Sequence, residues 1–220
     1  MNPSGWTQKK QINPVLRIFL AILIAIAIFV LSTVAVMTAV SLLDFTEIWF
    51  AGAMQHGATL VICFLVFTIL GKRYREFFGF RMPSEPWLVP GTMLGASAGI
   101  IATIGGSSVP GAGMDFAEDY SILHLVLFIW ILASLAEEIL FRGLIQSFLS
   151  PLSNYGFSLI TIHLSLPVVT AALMFGFGHI IILTMGVGIP TLILVILFAT
   201  FVGMVAGYFR EKTGSILPAI

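Results

Sequence analysis

Six stretches of this chain, residues 18–43, 48–70, 87–104, 121–149, 167–186 and 190–209, are apolar throughout or nearly so. Each is close to or above the roughly 20 residues that a helix needs to cross the hydrocarbon core of a bilayer. A soluble domain of 220 residues could not hide so many apolar helices from water. Hydrophobic residues make up 59% and charged residues 9%, against about 45–50% and 25% in soluble domains. A soluble enzyme, a disordered chain and a nucleic-acid binder working through a basic face are therefore excluded. The expected fold is all-α: a polytopic transmembrane helical bundle of six full spans, with the start of a truncated seventh between Ser215 and Ile220. Its first partner is the lipid bilayer, and nucleic acid is not among its partners.

The first span is too long for the 7–15-residue apolar region of a secretory signal and has no evident cleavage site, so it reads as a true span. The third is rich in Gly and Ala, which lets helices approach closely. Ser165 is placed to cap the fifth, with Pro167 in its first turn. The single cysteine, Cys63, sits in an apolar run and reads as a small core residue. With the N-terminus inside, the inner segments hold Lys9, Lys10, Arg17, Lys72, Arg73, Arg75, Arg81, Arg210 and Lys212. Glu76, Glu85 and Glu211 lie beside them. The outer segments hold Asp44, Glu47, Asp115, Glu118 and Asp119. This asymmetry predicts a multi-pass protein of the cell membrane with a cytoplasmic N-terminus. The loop 105–119 reads as an external connection. The uncharged stretch 150–166 is broken by Pro151, Asn154 and Gly156, and is expected at the inner interface or partly buried.

Three charges remain inside a span: Glu137, Glu138 and Arg142. An ionised residue at mid-bilayer costs about 2.5–3.5 kcal/mol on insertion scales, so each needs a partner or a polar cavity. Glu138 and Arg142 stand at i and i+4 with the acid N-terminal, the favourable order for a helical ion pair. Glu137 points about 100° away and has no local partner, which suits a general base or acid. The next span contains Phe175-Gly176-Phe177-Gly178-His179. Its glycines thin the helix around His179, a residue able to shuttle protons or bind metal. Alone, His179 would read as an ordinary core histidine; beside an unpaired Glu on the preceding helix it does not. His56, His124 and His163 read as structural, His56 making a polar contact beside Gln55. A packing ion pair, or a proton relay in a small Glu–His transporter, is the competing reading of the charged cluster.

At these residues the chain resembles the CPBP intramembrane proteases, the CAAX-protease and bacteriocin-processing (Abi) family. Its E-E-x-x-x-R motif matches Glu137, Glu138 and Arg142; its F-x-x-x-H motif matches Phe175 and His179. Residues 213–220 resemble the lead-in to a third motif, H-x-x-x-N or H-x-x-x-D, whose own residues would fall past Ile220. Glu137 and His179 lie 42 positions apart, and the added length is expected within 150–166. The resemblance covers about 134–220 and divides the chain into a three-span N-terminal membrane region, 1–120, and a catalytic-motif membrane region, 121–220.

The resemblance implies a cavity opening to the cytoplasm in which peptide bonds of membrane-associated substrates, prenylated CAAX-type or bacteriocin-related, are hydrolysed. Glu137 would activate the water and His179 would help hold it; Glu138, Arg142 and Phe175 would support the site. The third motif would stabilise the oxyanion. No cofactor is required by these residues. A divalent metal such as zinc could use Glu137 and His179, but it would need a third ligand beyond Ile220, so a metal-independent glutamate mechanism is the reading preferred here. A non-enzymatic immunity or scaffold protein that keeps the motifs is the alternative.

Overall fold

The computed structural model describes residues 13–44, 48–70, 77–84, 86–108, 121–159 and 162–220. Lys9, Lys10, Glu47, Lys72, Arg73, Arg75, Glu76, Glu85, Asp115, Glu118 and Asp119 lie outside the described residues. The chain forms α1 (Pro14–Leu43), α2 (Ile48–Leu70), α3 (Leu88–Ser108), α4 (Ile122–Leu152), α5 (Leu166–Gly178) and α6 (Ile189–Thr213). Five helices are long and apolar enough to cross a membrane, and α3 adds a shorter apolar stretch, Leu88–Ile101. The protein is a multi-pass helical bundle. Its outward faces carry large exposed apolar side chains such as Phe29, Leu65, Ile101, Trp130 and Phe201, as a lipid-facing surface requires.

Local chemistry sets the ends of these helices. Asn13 caps α1, its side-chain oxygen accepting from the Val15 amide at 2.9 Å, with Pro14 in the first turn. Ser165 caps α5 as expected, with Pro167 in the first turn. Past Gly178 the α5 helix tightens into a 3₁₀ segment, His179–Met185, that stops at Gly186 with a positive φ. The stretch 150–166 begins as a 3₁₀ turn and continues as an antiparallel hairpin, Gly156–Leu159 (β1) with Ile162–Ser165 (β2). It is the one sheet among the described residues of an otherwise helical chain.

α4 is not a uniform helix. Two π-helical stretches, Leu125–Ala133 and Ile139–Ile145, flank one ordinary α turn, Ser134–Glu138. A π turn bonds i to i+5, widening the helix, and such turns occur often at functional sites. No periodicity in the sequence announces them.

The buried core lies around the inner half of α4. Ile139, Leu140, Leu144, Ile145, Leu149 and Leu152 pack with Phe78, Ala21 and Ile28. Cys63 is buried there as a free thiol, the core role its apolar run implied. α1 and α2 are joined at mid-span by Gln55, which donates to the Ser32 hydroxyl at 2.9 Å, and by Thr59, 3.3 Å from the same oxygen. Gln55, rather than His56, makes that contact. His124 stacks on Trp49 with centroids 4.2 Å apart. His163 meets Ser158 across the hairpin at 3.3 Å.

Residues 214–220 form bends and a turn folded onto the inner end of the bundle. Gly214, with φ 67°, ends α6. The segment 79–84 then clasps the turn: the Ile216 amide donates to the Gly79 carbonyl at 3.1 Å, and the Ser84 amide donates to the Thr213 carbonyl at 3.1 Å.

α5 and α6 touch backbone to backbone because small residues face each other. A Cβ on Gly176 would overlap Thr200 Oγ1 and sit 2.8 Å from the Ile196 carbonyl oxygen. One on Gly203 would sit 3.2 Å from Ala172. Gly176→Ala should therefore lower the unfolding midpoint in detergent, by the equivalent of about 1–3 kcal/mol as for overpacked cores. Adding Thr200→Ala should restore only part of the loss, because the Ile196 backbone cannot retreat. Full recovery in the double variant would contradict this packing.

Candidate active site

α4 and α5 bring the two motifs together. Arg142 is almost completely buried, at 1% exposure. Its Nη1 lies 2.8 Å from Glu138 Oε1, the i,i+4 pair the spacing implied. The approach is that of an ion pair, but its angles fall outside a hydrogen bond, and Nε and Nη2 of Arg142 and Oε2 of Glu138 have no hydrogen-bond partner among the described residues. The guanidinium instead lies over the Phe175 ring, 4.7 Å from its centroid. Phe175 thus has a physical role beyond marking a motif: its face supplies a cation–π contact in a dry environment.

Phe175 also positions His179. Their rings meet edge to face at 5.1 Å, and His179 Nδ1 lies 3.0 Å from the Phe175 carbonyl oxygen. A carbonyl only accepts, so Nδ1 carries the proton and Nε2 of the neutral ring is left as an acceptor. Phe141 of α4 packs against Phe175 at 5.4 Å and approaches Gly178, 4.0 Å from where a Cβ would stand. The two glycines of the motif therefore serve different neighbours, Gly176 admitting α6 and Gly178 facing α4.

Glu137 is half-buried and lies within electrostatic reach of both His179 and Arg142. Its carboxylate makes no hydrogen bond or ion pair among the described residues. Two adjacent acids thereby have different surroundings. Glu138 is buried against Arg142, while Glu137 is more exposed and within electrostatic reach of His179.

Sequence reasoning missed Gln146, which stands at the next i+4 step after Glu138 and Arg142. It is 5% exposed, and its Nε2 donates to the Gly207 carbonyl at 2.9 Å. Extending the four-residue spacing by one step would have found it. Gly203 was missed too: a Cβ there would lie 3.2 Å from Arg142 Nη2, so α6 closes over the guanidinium. A lone glycine in an apolar helix gives no such signal.

A metal would have Glu137 and His179 Nε2 as donors. No three His, Cys, Asp or Glu side chains converge among the described residues, and Glu138 is engaged by Arg142. Two donors fall short of the three protein ligands that a catalytic zinc takes, so this set does not by itself fit zinc.

A family model described as type II CAAX prenyl endopeptidase Rce1-like matches residues 119–220. Residues 119–220 are thus similar to the Rce1-like family. The match spans just under half of the chain, and Glu137, Glu138, Arg142, Phe175 and His179 fall within it. It agrees with the family resemblance drawn from the two motifs. No curated protein and no solved structure matches the chain.

Within the Rce1-like region, removing one member of the buried pair should be worse than removing both. Arg142→Met strands Glu138 and should destabilise by about 3–5 kcal/mol. Arg142→Met with Glu138→Leu should recover most of that in a detergent unfolding assay. Arg142→Lys should not substitute, because an ammonium cannot reproduce a planar cation over Phe175.

Proposed function

We propose that this protein is an intramembrane endopeptidase that hydrolyses a peptide bond of a membrane-associated substrate through a water activated by Glu137. Its N-terminus and the mouth of its site face the cytoplasm at the cell membrane, following the distribution of its basic residues. The catalytic region is 121–220, and 1–120 is the membrane region that supports it. The observation that carries the reading is the pairing of an uncommitted Glu137 with a His179 of fixed tautomer on consecutive apolar helices.

An amide is inert to water unless a base and a stabiliser of the developing oxyanion act together. Glu137 takes a proton from water, the resulting hydroxide attacks the carbonyl carbon, and the same proton passes to the departing amine nitrogen. His179 Nε2 accepts the water's other hydrogen and holds its oxygen toward the carbonyl. Neither a carboxylate nor a neutral Nε2 can donate to the oxyanion; in the family resemblance that task belongs to the third motif. Glu138 and Arg142 hold the helix geometry and keep a positive charge near Glu137. The family description favours a prenylated C-terminal peptide as the first substrate class to try.

Glu137→Gln keeps the shape and removes the base. Its cleavage of a farnesylated fluorogenic CAAX peptide should fall by about 10²–10⁴, the usual contribution of a general base, at unchanged membrane abundance. His179→Ala should fall comparably. Unaltered cleavage by Glu137→Gln would sink the assignment, and pH-coupled solute transport lost in the same variant would favour a relay. Activity is expected to survive exhaustive chelation; loss that zinc restores would establish a metal-dependent site.

A further inference from the structure

The inner end of the bundle holds a second polar site that the peptidase chemistry does not use. A cavity of about 290 Å³ opens where α4, α5 and α6 end, lined by Arg81, Gln146, Ser147, Ser150, Arg210 and Glu211 among others. That is near the lower limit of ordinary ligand pockets and many times the roughly 30 Å³ share of one water. The cations come from two segments. Arg81 is anchored through Nε to the Gly214 carbonyl at 2.8 Å. Arg210 Nη2 donates to the Phe77 carbonyl at 2.9 Å and reaches the Ser147 hydroxyl at 3.2 Å. The carboxylate comes from α6 as well: Glu211, next to Arg210, is oriented by the Ser165 hydroxyl, which donates to Oε2 at 2.6 Å.

A cavity lined by two guanidinium groups and a carboxylate suits a ligand that carries both charges. The depth narrows the class. Arg210, Glu211 and Gly214 are the last turn and cap of α6, and the serines close α4, so the cavity lies at the level of the headgroups on the side rich in Lys and Arg. We propose that this cavity binds the zwitterionic headgroup of an inner-leaflet phospholipid bearing a primary amine, phosphatidylethanolamine being the simplest. Arg81, Arg210 and the Ser150 hydroxyl take the phosphate. Glu211 takes the ammonium, whose three N–H donors a quaternary choline lacks.

The test uses the full chain purified in detergent and dioleoyl phosphatidylethanolamine, phosphatidylcholine or phosphatidylglycerol, read by native mass spectrometry and by the shift in unfolding midpoint. Phosphatidylethanolamine should bind at least about tenfold more tightly than the other two, the effect of one charge-assisted hydrogen bond. Glu211→Gln, which keeps a partner for Ser165, should erase the preference for the amine while some phosphate binding remains. Arg81→Gln should weaken phosphatidylethanolamine and phosphatidylglycerol together; circular dichroism and the lipid-free unfolding midpoint separate this from misfolding, and Ser150→Ala gives a milder probe of the phosphate side. Equal retention of all three lipids by wild type overturns the proposal. So does competition by a peptide with a free C-terminal carboxylate but not by its amide, which would give the cavity to the substrate. Neither result depends on cleavage, so the proposal stands or falls apart from the peptidase reading.

Discussion

A guanidinium with 1% exposure among apolar helices is the constraint around which the catalytic-motif half is arranged. Arg142 cannot be hydrated, so everything near it compensates. Glu138 supplies the counter-charge from one turn before, Phe175 offers its ring face, and Gly203 lets α6 cover the far side. These neighbours fix three helices relative to one another. Because the charge is met by a ring and a single carboxylate, several of its donors lack acceptors. Such under-satisfied groups are expensive in a low-dielectric interior and recur where function rather than stability has shaped a site.

The same constraint separates the two adjacent acids. One carboxylate is needed to neutralise Arg142, and the α turn between the π stretches carries the other around the helix toward His179. Phe175 links the halves: its ring contacts Arg142 and its carbonyl sets the imidazole tautomer. A single aromatic side chain and its own backbone thus couple the ion pair to His179.

Much of this was legible in the residues. Glu138–Arg142 followed from spacing and acid-first order, and the α5 start from Ser165 and Pro167. The π stretches of α4 were not legible, because a widened turn leaves the apolar composition unchanged. The hairpin 156–165 was seen only as a broken, uncharged interval: its strands are four residues each, too short for a clear alternation. The turn over 214–220 was not legible either, because it rests on a left-handed Gly214 and hydrogen bonds to 79–84 rather than on composition. Gln146 lay within reach of the four-residue spacing, whereas Gly203 acts only through tertiary contacts, which a single sequence does not display.

The hairpin between α4 and α5 has a further consequence. Tyr155, Phe157 and Ile162 are 58%, 47% and 45% exposed on it, so the connection between the two site-bearing helices presents aromatic and aliphatic groups at interfacial depth. Such residues prefer the boundary between headgroups and tails. The strap between the two motif-bearing helices is thus itself an apolar surface, and the helices carrying Glu137 and His179 are tied to one another through a segment chemically suited to the membrane boundary.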